Sequence, residues 1–282
     1  MGNPLMDRTV RQGVSDSRHM IPQGHQAGPA SYQPGAPSAQ QLDQQFQMPA
    51  YQAAPAQPER AMTYDDVFMK SLACFGILLV GAAVGWFIPQ LMLVGAIVGL
   101  VLGLVNAFKK EPSKGLILGY AVFEGMFLGG ISKLFESLYG GIVVQAVLAT
   151  LSVFAVMFCL FKFAKVRMSG GFLKFLMIAV GGYAVFSIVN FFFSIFSGGA
   201  MNARSVQISI MGIDMPLGVI IGLVATVLAA MTLVSDFQMI EQGVVNRIPE
   251  KYSWLCAFSL MTTLVWLYVE ILRLLSYLRG ND

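Results

Sequence analysis

Two acidic residues of this chain occupy positions where a charge is costly. Asp236 ends the apolar run Leu217–Ser235, and Glu270 lies inside the apolar run Leu264–Leu275. A charged side chain at bilayer depth is costly, so a carboxylate in a membrane segment is first considered as part of an ion pathway, a proton relay or a sensor. A third acid, Glu124, lies within another apolar stretch. These three carboxylates are the candidate functional residues.

Carboxylates at such positions would act on cations or on protons. Ionised carboxylates are oxygen ligands that suit Ca²⁺, and a transient contact with Asp236 is the metal interaction we expect, without a resident metal. Two carboxylates in contact cannot both ionise readily, so a close pair shares a proton and responds to pH as a unit. Glu270 also has a structural alternative: Arg273 follows three residues later on the same helical face and would form an ion pair with it.

Other residue types argue against an enzyme. The two histidines, His19 and His25, lie in the polar N-terminal stretch, and no apolar segment contains a histidine. An intramembrane serine protease would lack its base and a zinc enzyme its ligands. The three cysteines stand alone in apolar segments, which is typical of packing residues. We therefore expect neither catalysis nor a cofactor.

The composition is that of a membrane protein. Of the 282 residues, 56% are hydrophobic and 12% are charged, which is outside the range of ordinary soluble domains. The net charge of +3 is small and the basic residues are spread between apolar runs, so no nucleic-acid surface is indicated. The lipid bilayer is the first expected partner.

The chain divides into a polar tail and an apolar domain. Residues 1–60 are rich in Gln, Pro, Ala, Gly and Ser, which predicts a disordered tail. Residues 61–282 form the predicted membrane domain, and Thr63 is a candidate N-cap at its start, with Asp65 and Asp66 in the first turn. Each of its seven apolar segments is close to the roughly 20 residues that a helix needs to cross a bilayer. They are Val67–Ile88, Leu91–Phe108, Gly115–Phe135, Ile142–Phe163, Phe172–Phe196, Pro216–Ile240 and Trp254–Leu278.

Glycines recur at four-residue spacing in the first three segments. Such small faces let helix backbones approach closely in lipid, which predicts a compact bundle. The glycines are Gly81 and Gly85; Gly95, Gly99 and Gly103; and Gly125 and Gly129.

Lysines and arginines predict the orientation. With seven spans the termini lie on opposite sides, and the side of the N-terminus would hold most of the basic residues near the segment ends. By the positive-inside rule the N-terminus is cytoplasmic and the C-terminus is outside. This orientation places Asp236 toward the cytoplasmic end of the sixth helix.

The three acids are expected at different depths. At about 1.5 Å per residue, Glu124 lies roughly 14 Å from the cytoplasmic start of its helix, near the middle of the hydrocarbon core. The same count from Tyr252 puts Glu270 about 27 Å along the seventh helix. A direct contact between Asp236 and Glu270 would require the sixth helix to run on past Gly243, or the seventh to begin before the membrane.

Several motifs resemble the Bax inhibitor family, and the match is nearest to bacterial members with a long polar N-terminal extension. The resemblance covers about Ala61 to Arg279 and excludes the tail. The motifs are Met62–Val67 (MTYDDV), Phe123–Gly129 (FEGMFLG), Ser235–Glu241 (SDFQMIE) and Trp266–Arg273 (WLYVEILR).

The resemblance implies a fold and a function. The implied fold has seven membrane helices, in which two three-helix layers wrap a central last helix. The implied location is a bacterial plasma membrane. The function is a pH-sensitive calcium leak, in which a pair of acids, here Asp236 and Glu270, senses pH and gates the passage of Ca²⁺ or another cation. Arg273 is the nearest counterpart of a basic residue that latches the acids, and Glu124 is a further pathway candidate.

Two other classes of function stay open at this point. The chain could instead be a membrane interaction protein that modulates stress responses or a membrane protease, using its tail and the loop Glu241–Tyr252 to bind a membrane protein partner. Secondary transport is the third hypothesis, because it also uses acids near the bilayer midplane.

Overall fold

The structure is a computed structural model that describes residues 60–196, 203–210 and 213–280. These residues belong to one unit, Pro58–Asp282. The predicted tail lies outside the described residues, apart from Arg60. The described helices are α1 (Tyr64–Phe87), α2 (Leu91–Phe108), α3 (Lys114–Leu138), α4 (Ile142–Lys162), α5 (Gly170–Phe196), α6 (Leu217–Val245) and α7 (Ser253–Arg279). Between α5 and α6 lies the antiparallel hairpin β1 (Gln207–Ile210) and β2 (Ile213–Pro216).

All seven helices are long and apolar enough to cross a membrane. The predicted all-α membrane class and the seven segments are therefore confirmed, since each predicted segment corresponds to one helix. The largest difference is at the end of the sixth segment, where α6 continues to Val245 instead of ending at Ile240. The extra turn begins with Glu241, whose carboxylate pairs with Arg167 at 2.8 Å, so this polar turn is held by a contact outside the apolar core.

The start of α1 is fixed by its predicted cap. The Thr63 hydroxyl accepts a hydrogen bond from the backbone N–H of Asp66 at 3.2 Å, and the Asp66 carboxylate accepts one from the N–H of Thr63 at 3.0 Å. This reciprocal arrangement is a capping box, which satisfies N–H groups that the first helical turn leaves without partners.

Helices α1, α2 and α3 form the first layer, and the predicted glycines bring their backbones together. A Cβ atom added at Gly129 would lie 1.9 Å from the backbone oxygen of Ala82, and one added at Gly85 would lie 2.1 Å from that of Met126. Only glycine fits at such distances. The spacing of these small residues therefore marks the contact face, as predicted.

Helices α4, α5 and α6 form the second layer, in which an aromatic cluster joins α4 to α6. Phe237 of α6 packs against three rings of α4, with centroid distances of 5.5 to 5.8 Å. The three rings are Phe154, Phe158 and Phe161. Helix α5 is the most exposed of the seven: 6% of the residues in its most apolar stretch are buried, compared with 33% of those in the corresponding stretch of α6.

Helix α7 is central, as the resemblance implied. Thirteen of its 27 residues are buried. Its residues enter three hydrophobic clusters of the described chain: one shared with α1 and α3, one with α4 and α6, and a smaller one in which Cys256 packs with residues of α1 and α6. The polar side chains of α7 are therefore held inside the protein, and acids of the surrounding layers can reach them.

Loop contacts define two ends of the bundle. At the end we call the basic end, Glu111 of the α2–α3 loop pairs with Lys251 of the α6–α7 loop at 3.4 Å, and Arg167 of the α4–α5 loop pairs with Glu241. At the opposite end, which we call the hairpin end, Arg279 donates a hydrogen bond to the carbonyl of Gly140, in the α3–α4 turn. These loops therefore lie at the ends of the bundle where a chain with seven membrane spans would place them.

Candidate functional site

Asp236 is a buried carboxylate held between α6 and α7. Its side chain is on the face of α6 that also carries Ala229 and Leu233, and the residue is 4% exposed. The Ser259 hydroxyl of α7 donates a hydrogen bond to Asp236 Oδ1 at 2.7 Å. The Thr263 hydroxyl, one turn further along α7, lies beside the same carboxylate.

The charge of Asp236 has no counterion in the part of the chain that the structure describes. No lysine, arginine or histidine there forms an ion pair with it. Its second oxygen, Oδ2, is buried and lacks a hydrogen-bond partner of normal geometry within the same residues. An ionised carboxylate in this environment is strongly disfavoured unless a cation or water reaches it.

Glu270 is also buried, at 2% exposure, but its surroundings are different. Arg273 donates a hydrogen bond to Glu270 Oε1 at 3.0 Å, and the Tyr183 hydroxyl of α5 donates to the same oxygen. Arg204 Nη1 lies 3.7 Å from Glu270 Oε2. The ion pair predicted from the spacing of Glu270 and Arg273 is therefore present, and a second arginine joins it.

Arg204 is the main residue that sequence reasoning missed. It lies in a short 3₁₀ helix (Ala203–Ser205) before the hairpin and is 4% exposed. Its Nη2 donates hydrogen bonds to the Tyr183 hydroxyl at 2.7 Å and to Ser187 Oγ at 3.2 Å. In the sequence, Arg204 lies between the fifth and sixth apolar segments, and no helical spacing relates it to Glu270. The pair is therefore identified only by the contact of the two side chains in the structure.

The structure does not bring Asp236 and Glu270 together. Asp236 is level with Ser259, and Glu270 follows Ser259 by eleven residues on α7, a rise of about 16 Å. Helix α6 does run past Gly243, but this extension leads toward the basic end, away from Glu270. The two acids are thus separate sites, and neither shares a proton with the other in this arrangement.

Glu124 lies closer to the level of Asp236. Its half-buried side chain is on α3 beside Tyr120, and Tyr120 also lies beside the Thr262 hydroxyl of α7. Thr262 directly precedes Thr263, the neighbour of Asp236, so the two acids flank α7 at one level. Gly99 of α2 leaves room for Glu124, because a Cβ atom at Gly99 would lie 3.0 Å from Glu124 Oε2.

Polar side chains therefore cross the central helix at this level. We call them the polar belt: Glu124 and Tyr120 on one side, Asp236 on the other, and Ser259, Thr262 and Thr263 of α7 between them. Carboxylate and hydroxyl oxygens can take the place of water around a hard cation. The belt is thus able to contact a cation or carry a proton inside an otherwise apolar bundle.

Comparison with known proteins identifies the family. A family model described as Bax inhibitor 1 like matches residues 21–280. The match begins within the predicted tail, so our inference that the resemblance starts at about Ala61 and excludes the tail was wrong. No curated protein matches the chain. Because the family model covers more than half of the sequence and the fold has the seven apolar helices that the resemblance implied, the chain is a membrane protein that belongs to the Bax inhibitor 1 like family.

Proposed function

We propose that the protein is a cation leak channel, with Ca²⁺ as the physiological ion, and that protonation of Asp236 gates the passage of the cation. The single observation that carries this proposal is the buried Asp236 carboxylate, which has no counterion among the described residues and one oxygen without a hydrogen-bond partner there. Such a group is costly to retain inside a membrane bundle, so its presence favours a functional role.

The chemistry of the polar belt supports this role. When Asp236 is neutral, the closed packing of α6 on α7 contains no isolated charge at this level. Once Asp236 is ionised, the carboxylate requires a cation or water, and the hydroxyls of Ser259 and Thr263 can supply further oxygen ligands. In this proposal Glu124, on the other side of α7, is a second acid that the cation meets on its pathway.

The proposal gives Glu270 a different role from the pH sensor that the resemblance suggested. Its carboxylate is neutralised by Arg273 and Arg204 and accepts a hydrogen bond from Tyr183. A buried acid with these partners belongs to a structural network of ion pairs and hydrogen bonds. We therefore infer that the Glu270 network closes the hairpin end of the bundle, with Arg204 and Arg273 as latching residues, while Asp236 responds to pH.

We further propose that the basic end faces the cytoplasm, in a bacterial plasma membrane, since the positive-inside rule assigns the lysine-rich loops to that side. Two single-cysteine variants, Lys110→Cys and Gly140→Cys, would be made in a chain whose native cysteines are replaced. An impermeant maleimide should label only Gly140→Cys in intact cells. Labelling of only Lys110→Cys would reverse the orientation.

The gating proposal is tested by Ca²⁺ flux into liposomes that contain the purified chain, measured over a series of pH values. Wild-type protein should pass Ca²⁺ at a pH-dependent rate, and Asp236→Asn should remove that dependence. Glu241→Gln is the matched control, because it makes the same acid-to-amide change on the same helix, at a surface ion pair with Arg167. Unchanged pH dependence in Asp236→Asn would refute the assignment of the gate.

The interaction-protein hypothesis gains less support. The loop Glu241–Tyr252, which it requires as a binding surface, is already engaged by the start of α1. Lys70 Nζ lies 2.9 Å from Glu250 Oε1, and Ala61 forms a backbone bridge with Pro249. No observation favours secondary transport or catalysis, so we propose the protein as a channel and not as an enzyme.

A further inference from the structure

We propose that a polar cavity at the hairpin end, between α5, α7 and the segment before the hairpin, binds the phosphate group of a membrane lipid. This inference concerns a site about 21 Å from the level of Asp236, counted along α7 from Ser259 to Arg273, and it does not depend on the channel proposal. The cavity has a volume of 240 Å³. Among the described residues, its polar lining consists of Ser187, Asn190, Ser194, Arg204, Arg273 and Tyr277.

The charge of the cavity favours an anion. Arg204 and Arg273 both line it, and Glu270, which contacts both arginines, is not among the described lining residues. The described part of the wall therefore holds two positive charges and no acidic side chain. It also includes the hydroxyl groups of Ser187 and Tyr277, which can donate hydrogen bonds to phosphate oxygens.

Arg273 is the residue with the most capacity to bind such a ligand. Its side chain is 30% exposed, and in the described part of the chain its guanidinium makes one hydrogen bond, to Glu270. A guanidinium carries five N–H donors in a planar fork that matches two oxygens of a phosphate. Arg204 is more deeply buried, where its bonds to Tyr183 and Ser187 hold it in place at the back of the site.

The position of the cavity points to a lipid as the source of the phosphate. Arg273 precedes Arg279, the last residue of α7, by six residues, so it lies about 9 Å below the end of the helix. This is the depth at which the polar headgroup region of a bilayer meets its hydrocarbon core. The wall also includes Phe191 of α5, which is 60% exposed on the lipid-facing surface of that helix. A headgroup could therefore enter from the membrane while its acyl chains stay in lipid beside α5.

The test measures how added ligands stabilise the purified full chain in a non-ionic detergent, because a ligand that binds only the folded protein raises its melting temperature. Three probes are compared: a short-chain phosphatidylglycerol, a diacylglycerol with the same chains but no phosphate, and inorganic phosphate. Phosphatidylglycerol should raise the melting temperature in a saturable way, and diacylglycerol should not.

Two variants test the site itself. Arg273→Gln removes the accessible charge, and Ser194→Leu fills the cavity without changing any charge. Both should weaken phosphatidylglycerol binding by at least about tenfold, the loss that corresponds to a hydrogen bond with a charged group. Arg279→Gln is the control: it removes a charge from the same end of α7 outside the cavity and should bind like wild type. The melting temperature without ligand shows that each variant is folded.

Three results would overturn the proposal. One is equal binding of phosphatidylglycerol by wild type, Arg273→Gln and Ser194→Leu. Another is equal stabilisation by diacylglycerol, which would mean that only the acyl chains bind. The third is a melting temperature that rises with inorganic phosphate but not with phosphatidylglycerol. That result would mean that the cavity binds a soluble anion and not a lipid. If Arg273→Gln does not fold, Ser194→Leu still decides the outcome, because its charges are those of the wild type.

Discussion

The hydroxyl of Ser259, on the central helix α7, donates a hydrogen bond to Oδ1 of Asp236, on α6, at 2.7 Å. This bond links the two helices. The partner of Asp236 is thus a neutral hydroxyl and not a second acid. Glu270, about 16 Å further along α7, is instead bound to two arginines and a tyrosine. The two buried acids therefore differ in the way their charge is compensated. Replacing each acid by its neutral amide should consequently change the stability of the protein by different amounts.

Glu270→Gln should destabilise the protein by about 3 kcal/mol, because it removes a buried charge that pairs with both Arg204 and Arg273. The measurement is the free energy of unfolding, or the melting temperature, of the purified variant in detergent. Glu241→Gln should cost less than about 1 kcal/mol, since its ion pair lies near the surface. Equal, small effects of the two substitutions would mean that the Glu270 network does not hold the hairpin end together.

Asp236→Asn should leave the protein at least as stable as the wild type. The amide keeps an oxygen that can accept the Ser259 hydrogen bond, and it removes a charge that lacks a counterion among the described residues. Thermal unfolding of this variant beside Glu270→Gln provides the comparison. A large loss of stability in Asp236→Asn would indicate that Asp236 is a structural residue with a partner of its own.

Gly129→Ala should disrupt the contact between α1 and α3, because the new methyl group would lie 1.9 Å from the carbonyl oxygen of Ala82. Overpacking of this kind costs about 1 to 3 kcal/mol or more. Gly76→Ala, on the exposed face of α1, has no atom within 4 Å of the added methyl group and should be neutral or slightly stabilising. Melting temperatures of the two variants test this difference; a Gly129→Ala variant as stable as Gly76→Ala would contradict the close packing of the first layer.

Glu124→Gln should reduce the rate of Ca²⁺ flux but preserve its dependence on pH. Glu124 lies on the opposite side of α7 from Asp236, beside Tyr120, where it can attract a cation without contacting the gate. The flux assay in liposomes separates the two properties, since rate and pH dependence are read from the same series. Loss of pH dependence in Glu124→Gln, with a normal rate, would move the sensor from Asp236 to Glu124.

Much of the fold follows from the sequence. Apolar length predicts each of the seven helices, the Thr63 cap marks the start of α1, and the four-residue spacing of Gly81, Gly85, Gly125 and Gly129 predicts the packing of the first layer. These features are local or periodic, so a linear sequence records them directly. Glu270 and Arg273 are also a local pair, three residues apart, and their contact was predicted for that reason.

The partners of the acids were harder to predict. Arg204 reaches Glu270 from a segment 66 residues earlier in the chain, and Tyr183 reaches it from α5, a largely apolar helix in which no spacing marks Tyr183 as a partner of Glu270. The family resemblance implied that Asp236 and Glu270 form one pH-sensing pair, yet eleven residues along α7 separate Glu270 from Ser259, the neighbour of Asp236. The register between packed helices decides such contacts, and no spacing within one helix determines that register.

The most direct test of this account is the pH dependence of Ca²⁺ flux in liposomes that contain wild-type protein, Asp236→Asn or Glu241→Gln. We predict that wild type and Glu241→Gln show the same pH-dependent flux, whereas Asp236→Asn passes Ca²⁺ at a rate that no longer varies with pH. A pH-dependent flux that persists unchanged in Asp236→Asn, in a variant shown to be folded, would contradict the proposal that Asp236 gates the channel.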